Sequence, residues 1–247
     1  MGVRKSSVPR ELYLQPHVFL CRGKRHWVIL DVKRDKYFCV DRHQFELLGP
    51  ALKGWVESAN HGARGATSVA SDAAELANSL LALDILSECS TSAKDALPTS
   101  YSLPTEAIDP DESVPSRRSS CTHALPFFAS SAQASRELRQ QRFQSTVELV
   151  RDRKNGMADR AGPFDIERTR SLVSVFNRLR WFYPRSYLCL FDSLALIHFL
   201  ARFHVHPDWV FGVNPDPFEA HCWVQEGGVV LNDTVQRVSG FTPIMYI

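Results

Sequence analysis

The sequence predicts an α+β protein built in two parts. Three observations carry that prediction. Residues 12–40 show the period-2 alternation of strands and lead into helical periodicity. Residues 134–203 show helical periodicity and the strands follow over 208–247, which implies a helix layer on a sheet. Between the two blocks the composition turns to Ser, Thr, Pro, Asp and Ala with few large apolar side chains, which cannot repay the entropy of ordering. The domains predicted on this basis are 1–87, a flexible linker over 88–131, and 132–247.

In the first block, "LYLQPHVFLCRG" and "HWVILDVKRDKYFCV" read as strands, with Trp27, Ile29, Tyr37 and Cys39 alternating with less apolar neighbours and a turn at Lys33 to Lys36. Asp41 is an N-cap or turn residue. Behind it Phe45, Leu48, Leu52 and Val56 stand at helical spacing, interrupted by Gly49-Pro50. Ser71 is placed as the N-cap of a second helix that sets Leu76, Leu80 and Leu83 on one stripe. Strands followed by helices in this order suit a winged-helix-like domain.

In the second block, "ASRELRQQRFQSTVELVRDRK" predicts one helix through Leu138, Phe143, Val147 and Val150. Asp165 should cap another, whose apolar face is Leu172, Val175, Phe176 and Leu179, with Pro184 as the stop. Ser186 is placed as the cap of a third, "LCLFDSLALIHFL", striped by Leu190, Leu194, Ile197 and Leu200 or Ala201. "DWVFGV", a hairpin over 219–233 and "FTPIMYI" complete the strands.

Bulk properties narrow the function. With 247 residues, 44% of them hydrophobic and 23% charged, the chain can bury two modest cores. A net charge of +2 does not suggest a general nucleic-acid binder. A winged helix could still grip DNA through Arg22, Lys24, Arg25, Lys33, Arg34 and Lys36. Against that, the helix that would enter the groove carries Asp72, Glu75 and Asp84 and no Lys or Arg, so no nucleic-acid partner is expected.

The longest apolar run contains Asp192 and falls short of the roughly 20 residues a bilayer span requires. The start, "MGVRKSSVPRELYLQP", lacks the apolar core of a secretory signal. It fits a short myristoylation pattern through Gly2 and Ser6, read here as a frayed terminus. Cysteines at 21, 39, 89, 121, 189 and 222 have no framework spacing, which places them as reduced thiols in a cytoplasm. His198, His204, His206, His221 and Cys222 crowd in sequence without a metal-ligand spacing, and no phosphate-binding loop is present. No metal or cofactor is expected.

Chemistry is suggested by Cys189. A helix opening at Ser186 puts this thiol in the first turn, where unpartnered N–H groups and the helix dipole favour a thiolate. The stretch "EAHCWVQEGGVVLND" supplies the companions. If Glu226, Gly227 and Gly228 form a three-residue loop, Gln225 faces Val229, Trp223 faces Leu231, and His221 faces Asp233 at about 4.5 to 5.5 Å between Cβ atoms. A two-residue Gly-Gly loop would instead pair His221 with Thr234 and turn Asp233 to the other face. The catalytic assignment presupposes the longer loop. Cys189 is then the nucleophile, His221 its base and Asp233 the group that orients the ring, a set suited to acyl transfer. First-turn amides could serve the oxyanion, with Tyr183 and Trp181 near enough in sequence to be considered. Cys222, the strand neighbour of His221, should point away and pack. Asp192 lies one turn from Cys189 and would raise its pKa if it faced the same way.

The order "YLCLFDSLAL", "GVNPDPFEAHCWVQEGGVVLND" and "FTPI" resembles the B proteins of lasso peptide biosynthesis, leader peptidases of papain/transglutaminase-like fold, over roughly residues 135–247. "VILDVKRDKYFCVDRHQFELL" resembles the PqqD-like leader-recognition module of the same family. The resemblance assigns nucleophile, base and acid to Cys189, His221 and Asp233. It implies a fused protein whose amino-terminal part holds a precursor leader around Tyr37, Phe38, Cys39, Val40, Leu76 and Leu80. A separate asparagine synthetase-like lasso cyclase would use the freed core amine. The sequence departs from the family pattern at Phe191-Asp192, where a basic residue near Ser193 is common, and in its long linker. Two other functions compete: a binding-only adaptor that scaffolds the cyclase, and transglutaminase chemistry in which an amine resolves the thioester.

Overall fold

The computed structural model describes residues 11–55, 68–89, 94, 100–108, 117–158, 164–184, 186 and 188–247. The Gly2 and Ser6 pattern, Val56 and much of the Ser- and Pro-rich stretch lie outside them. The chain divides into two compact units, Met1–Thr99 and Ser100–Ile247. Residues 100–131, expected as linker, thus fall in the second unit. They carry a short strand and the first half of a long helix.

The first unit is built on an antiparallel meander of β2 (Val18–Arg22), β3 (His26–Asp31) and β4 (Lys36–Asp41). A separate two-stranded pair joins β1 (Tyr13–Leu14) to β5 (Leu86–Ser87). Register sets Trp27 opposite Val40 and Ile29 opposite Phe38. Directly paired side chains share a face, so Phe38 and Val40 join the core and the expected Tyr37 and Cys39 lie on the other side. Asp41 caps the helix α1 (Arg42–Glu46), accepting the N–H groups of His43 and Gln44. The chain then tightens into a 3-10 turn over Gly49–Ala51, where Pro50 fits the helix start.

Helix α2 (Ser68–Ala82) begins three residues before the predicted cap, so Ser71 is inside it. Its core face is Ala73, Ala77 and Leu80, with Leu76 half-buried beside them. Leu83 falls beyond the helix and is 39% exposed. The small alanines let α2 approach a core already filled by Trp27, Phe45 and Trp55, whose rings lie 5.1 to 5.9 Å apart.

The second unit is a mixed sheet with strand order β10-β7-β8-β9-β6, formed by β6 (Glu106–Ala107), β7 (Asp208–Pro215), β8 (Phe218–Glu226), β9 (Val229–Val230) and β10 (Thr242–Tyr246). Among the described residues of this sheet, β6 pairs with β9 in parallel and the other pairings are antiparallel. The helices are α3 (Arg117–Gln140), α4 (Phe143–Ala158), α5 (Ile166–Arg180), α6 (Cys189–Ala201) and the short α7 (Val235–Val238). The single helix predicted through Leu138 and Phe143 is in fact two, broken between Gln140 and Phe143. Asp165 does cap α5, taking the Arg168 N–H at 3.0 Å, and Leu172, Val175, Phe176 and Leu179 are buried as the spacing predicts.

Helix α6 packs against α3, α5 and β8 at once. From Phe191 to Leu200 every residue but Asp192 is buried. It is therefore the axis of the unit, and no stripe describes it: an all-round apolar helix belongs inside. Its far end is tied down by a buried polar chain. Arg153 Nη1 lies 2.8 Å from His198 Nδ1 and His198 Nε2 lies 2.7 Å from Glu137 Oε2. Arginine can only donate, so Nδ1 accepts and the ring hydrogen on Nε2 goes to Glu137. That chain joins α4, α6 and α3. Among the described residues no helix is long and apolar enough to cross a membrane.

Removing the α5 cap gives a direct check on this helix scaffold. Asp165→Ala should cost about 1 kcal/mol and lower the melting temperature of the second unit by roughly 2 to 4 °C, whereas Asp165→Asn should restore most of it, as read by calorimetry.

Candidate active site

Helix α6 opens at Cys189, its first residue, with Leu188 as an extended N-cap that offers no side-chain hydrogen bond. The expected cap, Ser186, lies outside the helix start. The N–H of Leu188 is instead taken by Asp192 from the following turn, Oδ2 at 2.8 Å. Cys189 is half-buried, with the helix's first amides around it.

The companions come from β8, by a route the hairpin register did not predict. Glu226 pairs with Val229 and Gln225 with Val230, so the loop is the two-residue Gly227-Gly228. Local sequence hid the reason. Gly228 is pinned by β6, its carbonyl accepting the N–H groups of Thr105 and Glu106, and a Cβ there would stand 2.6 Å from Thr105 Oγ1. Gly227 supplies the positive φ of +56° that the tight turn requires.

Continued in this register, the ladder would carry Asp233 away from His221. It does not continue. Leu231 N–H still donates to Val224 O, but the Val224 N–H is taken by the side chain of Asn232 at 2.8 Å. Asn232 Nδ2 in turn donates to Ser193 Oγ on α6 at 3.0 Å, and Ser193 Oγ donates to Cys222 O at 3.3 Å. A side-chain amide has replaced the backbone rung, and the main chain swings free. Asp233 Oδ2 meets His221 Nε2 at 2.6 Å, while its Oδ1 accepts the Thr234 N–H.

The ring of His221 is 6% exposed and lies between Trp223 and Phe241, at 6.0 and 5.1 Å between centroids. Gly212 stands opposite it on β7. A Cβ on Gly212 would be 2.8 Å from Trp223 and 2.9 Å from Phe241, so only glycine leaves these two rings their places. With Nε2 given to Asp233, Nδ1 is the nitrogen left for the hydrogen bond that His221 makes with Cys189.

These contacts fix the charges. Cys189 is held far below the usual thiol range, at about 4: the Cys222 thiol hydrogen-bonds to the thiolate, His221 does so next, burial opposes them, and the Cys222 backbone N–H adds to the stabilisation. Burial works against the His221 imidazolium. The bond to Asp233 and the bond to Cys189 outweigh it and raise the ring to about 9. Burial likewise pushes Asp233 up, but His221 and the Thr234 N–H keep it below the usual carboxylate range. Between about pH 4 and pH 9 the pair is therefore thiolate and imidazolium. Cys222, 3% exposed, is raised by burial and by the neighbouring thiolate, so it stays a protonated donor.

The structure thus brings Cys189, His221 and Asp233 to one place. Cys222, expected to pack and no more, does pack against Ser193 but is also the largest cause of the lowered Cys189 pKa. Its alternation along β8 gave the correct face and concealed that α6 presents its opening there. Tyr183 is bound to Ser135 and stacked on Phe191, and Trp181 is 80% exposed. Asn232, Ser193 and Phe241 gave no sequence signal. Gly212 did, as a glycine inside an otherwise apolar strand.

The other residues singled out in the sequence belong to the first unit. Cys39 is exposed on β4, Tyr37, Phe38 and Val40 are half-buried, and Leu80 is 4% exposed within the core. Among the described residues no group of three or more His, Cys, Asp or Glu side chains is placed to hold a metal ion.

Comparison with known proteins agrees with this geometry at the level of the domain. Residues 131–246 match the family described as the Transglutaminase-like superfamily, which includes cysteine peptidases and transglutaminases. The second unit therefore carries a transglutaminase-like domain. No curated protein and no solved structure gives a match.

Cys222→Ala removes the first of the hydrogen bonds on the thiolate. The Cys189 pKa should rise from about 4 by roughly one unit or more. Iodoacetamide labelling of the Cys189 peptide across pH, followed by mass spectrometry, would register the shift. An unmoved midpoint would show that the thiol contact is idle.

Proposed function

We propose that this chain is a cysteine endopeptidase that binds the leader of a ribosomally made precursor and cuts the leader from the core, the leader peptidase of a lasso peptide pathway. The observation that carries this reading is the thiolate of Cys189 beside an imidazolium held by Asp233, in a transglutaminase-like domain. The likeness of its motifs to lasso peptide B proteins supplies the substrate class.

In the proposed reaction Cys189 Sγ attacks the scissile carbonyl carbon, and the developing oxyanion meets the first-turn amides of α6. The C–N bond breaks as His221 gives its proton to the leaving nitrogen, which departs as the free amine of the core. A thioester to the leader remains. Water then attacks with His221 as base, the C–S bond breaks, and the leader leaves with a new carboxylate while thiolate and imidazolium are restored. Asp233 holds the ring's orientation throughout.

Leader capture is assigned to the first unit. Among the described residues β4 pairs on one side only, with β3, which leaves an edge where an extended peptide could add a strand. Tyr37 and Cys39 on the face away from the core, with the half-buried Phe38, Val40 and Leu76, would supply its side-chain contacts. Leu80 would act through the core it fills. A cytoplasmic setting and a separate cyclase that consumes the freed amine complete the proposal.

The test is to incubate the purified chain with candidate precursors and weigh the fragments. Cys189→Ala should lower kcat by at least roughly a thousandfold while leader affinity, read by calorimetry, stays within about twofold of wild type. Unchanged cleavage by that variant would make the chain an adaptor, and a crosslinked product would make it an amine-resolving transferase.

A further inference from the structure

The opening of α6 poses a mechanical question. A nucleophile on the first residue of a helix needs that residue fixed, yet Leu188 brings no capping side chain. The fixing contacts come from elsewhere. Arg180, at the last position of α5, is 3% exposed, and its guanidinium reaches Asp192, Tyr183 and Ser186 among the described residues. Nε donates to Asp192 Oδ1 at 2.5 Å, Nη1 to Tyr183 O at 3.2 Å and Nη2 to Ser186 O at 3.1 Å. Asp192 Oδ2 then receives the N–H of Leu188, the residue before the nucleophile. One fork thus grips the approach to α6 at two carbonyls and, through a carboxylate, at its cap.

The same pair settles an electrostatic problem. Asp192 sits three residues after Cys189, and an uncompensated carboxylate one turn from a thiolate opposes its ionisation. Its two oxygens are instead turned to Arg180 and to the Leu188 N–H. Among the described residues, His221 and Cys222 from β8 act directly on the Cys189 sulfur, Asp233 stands beyond the ring, and Asp192 on the same helix is paired with Arg180 of α5.

We propose that Arg180 and Asp192 form a positioning pair that seats Cys189 at the mouth of α6 and cancels the one negative charge on its own helix turn. Neither residue touches the reacting atoms. The inference rests on Cys189 being the nucleophile, although its first readout, the alkylation midpoint, needs no peptide substrate. Arginine suits the task because three nitrogens of one planar fork are engaged in three directions, which a lysine cannot match.

The experiment measures iodoacetamide alkylation of the Cys189 peptide against pH in the full chain, for wild type, Arg180→Met, Asp192→Asn and the double variant. Arg180→Met leaves the carboxylate unpaired and should raise the midpoint by about one unit or more. Asp192→Asn keeps an oxygen for Leu188 and should leave the midpoint level or lower. The double variant removes both charges and should return most of the shift, although it loses more contacts than either single one. A loss of local order alone predicts the reverse, with the double variant the worst. If Arg180→Met does not fold, Asp192→Asn and Arg180→Lys carry the test. The lysine variant should keep a midpoint near wild type while lowering kcat on a cleaved precursor with little change in KM. A rise with Asp192→Asn, a double variant no better than Arg180→Met, or unaltered kcat in Arg180→Lys would overturn the proposal. Shifts as described in a chain that cleaves no precursor would leave the pair standing and remove the peptidase reading.

Discussion

Two opposite charges meet just below the surface of the second unit, on the sulfur of Cys189 and the ring of His221. Burial disfavours both, so the pair exists only while specific donors and acceptors outweigh desolvation. The thiolate has the Cys222 thiol, the imidazolium and a backbone N–H. The imidazolium has the thiolate and Asp233. These groups come from three stretches of chain: Cys189 opens α6, His221 and Cys222 are neighbours on β8, and Asp233 follows β9. Helix α6 is buried on nearly every side, and its far end is anchored by Glu137, His198 and Arg153.

Asn232 shows how local chain geometry serves that pair. A hairpin with a tight Gly227-Gly228 turn would deliver Asp233 to the wrong face. The amide side chain takes over one rung of the ladder, clips the strand to Ser193 on α6, and releases the next residue toward His221. Sheet register fixes His221 and the deliberate end of register places Asp233. Trp223 and Phe241, lying against the ring across from Gly212, hold the imidazole between aromatic surfaces.

Much of the fold could be read from the chain because it rests on local physics. Asp41 and Asp165 announced their helices through short side chains that accept first-turn N–H groups, and the α5 stripe at 172, 175, 176 and 179 matches a half-buried helix. What was illegible depended on distant contacts. The start of α2 at Ser68 and the break after Gln140 have no strong punctuation in sequence, and residues 100–131 lack the apolar density that usually marks a packed element. The turn at 227–228 is not legible locally because β6, more than a hundred residues earlier, decides it. Of the site, Cys189, His221 and Asp233 were visible as chemistry, though the path joining the last two was not the one the spacing suggested. Cys222 and Arg180 were invisible in their roles, since a thiol on the core side of a strand and an arginine at a helix end have ordinary structural uses everywhere.

The charge state of His221 is the most direct measure of this account. Nitrogen-15 NMR of the imidazole in the folded chain should show both ring nitrogens protonated at pH 7, with the proton lost only near pH 9 and lost at lower pH once Cys189 is replaced by alanine. A ring that titrates near its unperturbed 6.5, indifferent to Cys189, would contradict it.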